Sequence, residues 1–103
     1  MSIYTVISNL RSNPPKSEAA AAAFLAPLSP EQRQRLIAAV YLGRDHLHQQ
    51  AMRTDVDLTR EAIDHIPHED YPRILYEKAE SLDTYLGTLV ACARTSNFDL
   101  DTM

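Results

Sequence analysis

The sequence predicts an all-α fold, a compact bundle of five or six short helices. Three observations carry this expectation. Apolar residues recur at three- and four-residue spacing along most of the chain. Alanine, the strongest helix former, is abundant, while glycine occurs only twice. Serine and proline punctuate the apolar segments where helices ordinarily start and stop. A length of 103 residues suits a single domain spanning 1–103 with one modest core.

Ile3, Val6, Ile7 and Leu10 fall at i, i+3, i+4 and i+7, which predicts an amphipathic helix over 2–11. The SNPP stretch, Ser12–Pro15, ends it, so residues 1–15 read as a helix and a proline-containing turn. Ser17 and Glu18 open an alanine-rich helix over 17–26 that Pro27 closes. SPEQ at Ser29–Gln32 is the clearest local signal. Ser29 caps, Pro30 takes the first helical position, where no N–H is needed, and Gln32 reaches back to complete a capping box. Leu36, Ile37, Val40 and Tyr41 carry that helix over 30–42, and Gly43 is expected to stop it in a left-handed conformation.

Leu58, Ala62, Ile63 and Ile66 predict a fourth helix over 55–66, ending before Pro67. Asp70 or Tyr71 starts a fifth over 71–79, carrying Ile74, Leu75 and Ala79. A break at Glu80–Ser81 precedes the sixth, 82–94, with Ser81 as its cap. Leu82, Leu86, Leu89 and Val90 form its apolar stripe and are expected to pack against Leu36, Ile37 and Val40. Residues 95–103, largely polar, read as a frayed tail.

At 45% hydrophobic and 23% charged, the chain lies outside the disordered and fibrous classes. Cys92 is the only cysteine, so no internal disulfide forms, and its place beside an apolar stripe suits a small buried side chain. The opening MSIYTVISNLR lacks the basic start and long apolar stretch of a secretory signal. The longest apolar run, Ala19–Leu28, falls well short of the ~20 residues that cross a bilayer. The cytoplasm is therefore the expected location. Net charge is −4, unevenly spread: residues 1–54 hold six Lys and Arg against three Asp and Glu, residues 55–103 four against eleven. An acidic second half argues against nucleic acid as a partner, since phosphate recognition needs clustered cations.

The residues with most chemical potential lie in LGRDHLHQQ, Leu42–Gln50. Arg44 and Asp45 can be read as an anion-binding turn, the guanidinium oriented by the carboxylate. They can equally be structural, a cation at a helix C-terminus and a cap for the next element. The four histidines come as two pairs. His46 and His48 diverge by roughly 200° if helical, and His65 and His68 straddle helix-breaking Pro67. They are candidate metal ligands only if two turns bring them together with Asp45, Asp64 or Glu69, so the expectation is surface or turn histidines and no metal. The paired carboxylates Asp55/Asp57 and Glu69/Asp70 resemble helix caps more than an acid–base pair. No phosphate-binding loop, dinucleotide fingerprint, nucleophile elbow or zinc-finger spacing is present.

Across LSPEQRQRLIAAVYLGRDH and SLDTYLGTL the chain resembles a small bacterial family of unknown function. Its members carry a segment like LVALxWLGRGD and a later one like LLADYLEEGL. Leu36, Ile37, Ala39, Leu42, Gly43, Arg44 and Asp45 match the first, and Leu82, Asp83, Tyr85 and Leu86 the second, so the resemblance covers about residues 28–90. Tyr41 stands where the family has Trp, and the family's glycine between Arg and Asp is missing. The resemblance implies no activity; it marks Gly43–Arg44–Asp45 as a family feature.

The expected function is that of a small intracellular interaction or regulatory protein. It binds a protein partner, or a second copy as a homodimer, through a helical face, with no catalytic residues, cofactor, nucleic acid or membrane. Gly43, Arg44 and Asp45 are the candidate partner-binding or turn residues. Two alternatives belong to other classes: a metal-binding protein or metal-dependent hydrolase using His46, His48, His65 or His68, and an acidic phage-type or toxin-neutralising inhibitor.

Overall fold

Serine hydroxyls start the first three helices. Ser2, Ser17 and Ser29 sit in extended backbone and accept the N–H of Tyr4, Ala20 and Gln32 at 3.1, 3.0 and 3.2 Å. Each satisfies a donor that the first helical turn leaves free. A computed structural model describes residues 1–103 and contains five α-helices and no strand: α1 (Ile3–Ser12), α2 (Glu18–Leu25), α3 (Pro30–Asp45), α4 (Tyr71–Glu77) and α5 (Leu82–Thr95). The all-α bundle is the architecture the sequence predicts.

α3 runs through the centre. Its five consecutive residues Leu36–Val40 are all buried, so this stretch is covered on every side rather than on one stripe. Its most extensive contact is with α5, which buries Leu82, Leu86 and Leu89 into the cluster that holds Leu36, Ile37 and Val40; Val90 is only partly buried. α1 adds Ile3, Val6, Ile7 and Leu10 against both helices. Full burial of each such aliphatic side chain contributes about 1.5–3 kcal/mol. α2 packs on α4, burying Ala21 and Leu25, and Arg33 donates to the carbonyls of Leu25 and Ala26 at its C-terminal end, where a cation is favoured.

The structure differs from the sequence expectations in several places, and α4 itself stops at Glu77, with Ala79 in the following 3₁₀ turn. No α-helix forms over 55–66; residues 47–59 are irregular and a single 3₁₀ turn spans Arg60–Ile63. A local side chain competes with the helical ladder there: Asp57 takes both the N–H and the hydroxyl of Thr59. The loop before it is pinned by the N–H groups of Met52 and Arg53, which go to Ser96 and His46. Gly43 does not end α3, which continues to Asp45, and no glycine has positive φ. Ser81 accepts no capping hydrogen bond; it lies in a 3₁₀ turn, Ala79–Ser81, that leads straight into α5. Gln32 does not close a capping box, because its amide is used by the Met1 carbonyl and by Arg35. The largest difference lies at the C-terminus.

The tail is folded. α5 ends in a left-handed cap at Asn97 (φ 52°), with Phe98 N–H on Ala93 O at 2.8 Å and Asn97 N–H on Arg94 O at 3.2 Å. That cap turns the chain back onto α1. Tyr4 Oη accepts Leu100 N–H at 2.9 Å, and Asp101 takes Ile3 N–H at 2.6 Å and the Ser2 hydroxyl at 2.7 Å. Leu100 and Met103 are buried, and Arg35 and Arg60 both donate to the Met103 carbonyl. Polar composition suggested fraying, yet buried apolar side chains and hydrogen bonds to α1, Arg35 and Arg60 hold this segment.

Candidate functional site

α3 ends on a histidine. The imidazole of His46 is completely buried, with Nδ1 2.7 Å from the Leu42 carbonyl and Nε2 3.0 Å from the Arg53 backbone nitrogen. Because Arg53 N–H can only donate, Nε2 accepts and Nδ1 carries the proton. The ring thus caps a free carbonyl of α3 and pins the incoming loop. Arg53 then forms a two-pronged pair with Asp55 at 2.9 and 2.6 Å, and that guanidinium holds the Asp55 carboxyl below the usual carboxylate range.

Beside this clasp, the end of α3 and residues 56–66 line a cleft of about 330 Å³. The floor and walls are Leu42, Val56, Ile63 and Ile66, with Ala38 and Ala62; Arg44, Asp45, Asp57 and His65 are at the rim. Asp57 is held below its ordinary value by the hydroxyl and then the N–H of Thr59, so the rim carries a fixed negative charge there. Tyr41, His65 and Ile66 continue into a second hollow of about 290 Å³ bordered by Asp70, Arg73, Glu77 and Lys78. Arg44 and Lys78 both lie over the Tyr41 ring, 5.1 and 5.2 Å from its centre. Hollows of about 440 and 410 Å³ beside Pro15 and Phe98 include none of the candidate site residues Gly43, Arg44, Asp45, His46, His48, His65 and His68.

Comparison with models of known families, with curated proteins and with solved structures finds no match for this chain. Its chemistry is therefore read from the geometry alone.

Arg44, Asp45 and His65 come together at the cleft, although 20 residues separate Asp45 from His65. Asp45 does not cap a following helix, since the chain enters turns instead. The other histidines are dispersed. His46 is a buried structural cap, His48 is exposed, and the His68 ring lies tilted against Tyr71 with centres 4.6 Å apart. No three His, Cys, Asp or Glu side chains converge so as to hold a metal ion. Sequence reasoning missed Tyr41 and Lys78, whose pairing crosses from α3 to the end of α4 and leaves no local spacing signal. Cys92 is buried; burial raises its thiol pKa, and its Sγ–H points to the Gln49 carbonyl at 3.4 Å.

Proposed function

We propose that this protein is a small interaction protein that docks a segment of a protein partner in the cleft between the end of α3 and residues 56–66. One observation carries the reading: an apolar floor of Leu42, Val56, Ile63 and Ile66 opens to solvent beneath a rim of charged side chains. Apolar anchoring with polar selection at the edge is how compact domains recognise peptides. The helical faces themselves offer less. Their apolar stripes are buried in the core, and only Met1 and Tyr76 are large apolar side chains with high exposure.

The test is selection from a displayed random dodecapeptide library on the immobilised protein, followed by binding to an Ala62→Arg variant. Ala62 is half-buried in the cleft wall, so a long cation there fills the opening. Enriched peptides that bind the native protein and lose at least tenfold affinity for Ala62→Arg, with the melt unchanged, support the reading. Failure to enrich any peptide, or binding indifferent to Ala62→Arg, overturns it.

A further inference from the structure

Most cations of this chain have protein acceptors. Arg11, Arg53 and Arg73 pair with carboxylates, and Arg33, Arg35 and Arg60 donate to carbonyl oxygens. Lys16, Arg44, Lys78 and Arg94 have neither an ion pair nor a side-chain hydrogen bond, and of these Arg44 and Lys78 share one aromatic ring, lying 5.1 and 5.2 Å from the centre of Tyr41 beside the cleft. The ring quadrupole offsets part of their positive charge, and an anion at this edge of the cleft would offset more of it. Arg44 offers a planar fork for a carboxylate and Lys78 a mobile point charge.

We propose that the docked segment is an acidic peptide motif: a single Asp or Glu side chain seated at Arg44 and Lys78, next to an apolar side chain that enters the Val56–Ile63–Ile66 floor. This rests on the peptide-docking reading and adds the chemistry of the partner. Charge complementarity selects the occupant in both directions. The unpaired Arg44 and Lys78 call for an anion, while Asp45 and Asp57 beside Arg44 at the cleft, and Asp70 and Glu77 beside Lys78 in the adjoining hollow, repel a polyanion, so one carboxylate fits where a nucleic acid strand does not.

The experiment uses the enriched dodecapeptides as probes against native protein, an Arg44→Gln/Lys78→Gln variant and an Arg44→Glu/Lys78→Glu variant. Expected are peptides carrying an acidic residue within a few positions of an apolar one. Replacing that acid by its amide should weaken binding at least tenfold, and the Gln variant should show the same loss with an unchanged melt. Selection on the Glu variant should return Lys or Arg at that position. Cleft-dependent peptides with no acidic residue, or peptides bound equally by the Gln variant, overturn this inference while leaving the docking reading standing. Absence of any cleft-dependent peptide removes both.

Discussion

Gly43 lies directly against the backbone of Tyr85. A β-carbon built on Gly43 overlaps the Tyr85 carbonyl oxygen and falls 2.6 Å from its carbonyl carbon and 3.1 Å from its Cα. α3 and α5 therefore meet at a point where only a hydrogen fits. The glycine sits at that position for close approach, with ordinary helical backbone.

The two glycines of the chain then give opposite forecasts for one substitution. In an exposed helix, Gly→Ala stabilises by up to about 1 kcal/mol. Gly43→Ala should instead destabilise by at least about 2 kcal/mol, because helix backbone cannot move aside as a side chain can. Gly87→Ala meets only the flexible end of Arg11 and should be neutral or mildly stabilising. Urea denaturation of both variants decides this; equal shifts would show that α3 and α5 do not meet so tightly at Tyr85.

His46→Ala should cost about 2–4 kcal/mol, since it strands the Arg53 N–H and the Leu42 carbonyl and leaves a void. The native ring should also be held as the Nδ1–H tautomer. Long-range ¹⁵N correlation spectra read this directly, and a protonated Nε2 in the neutral ring would contradict the clasp.

Asn97 adopts the left-handed conformation that sequence reasoning assigned to Gly43. Asn97→Gly should leave stability unchanged or raise it slightly, whereas Asn97→Val should lower it by at least about 1 kcal/mol. Thermal melts that rank the two variants the other way would place the turn elsewhere.

Asp101 gives the chain a defined acid sensitivity. Burial works to raise its carboxyl pKa, but Ile3 N–H, the Ser2 hydroxyl, Arg35 and the Met1 amino group together outweigh that and leave it below the ordinary value. A lowered folded-state pKa means the stabilisation is fully present above the unfolded value of about 3.9 and is lost as pH falls through the folded value. Native protein should exceed Asp101→Asn in stability by up to about 1 kcal/mol near neutral pH, the size of a helix N-terminal charge effect. That gap should close in acid. A gap that stays constant with pH would remove Asp101 from this role.

How much of the fold was legible in the sequence depends on how local each cause is. Ser17 and Ser29 act within three residues, so the starts of α2 and α3 could be read directly; Ser2 caps α1 in the same way, and that helix starts one residue inside the expected 2–11 span. The Leu82–Leu86–Leu89 stripe likewise reports burial through periodicity alone. The Leu58–Ile66 pattern misled because periodicity marks which side chains go inward, while the Asp57 carboxylate takes the Thr59 N–H and so competes with a helical ladder at its start. Arg44, Asp45 and His65 were singled out from sequence, but their meeting at one cleft depends on a loop whose anchor is a buried imidazole. Tyr41 and Lys78 were invisible for the same reason, since their contact exists only once α4 is docked.

The seam between Ser2 and Asp101 joins residues 99 positions apart. Polymer statistics make such a closure inexpensive at equilibrium: extending a loop tenfold adds only about 2 kcal/mol of entropy. Kinetically it is another matter, because contacts of long sequence separation are slow to find. The seam should therefore be among the last contacts to form during refolding. Mutations in it, such as those at Asp101 or Tyr4, should speed unfolding more than they slow folding. The two ends of the chain act as a clasp on the lifetime of the native state, with little influence on how quickly that state is reached.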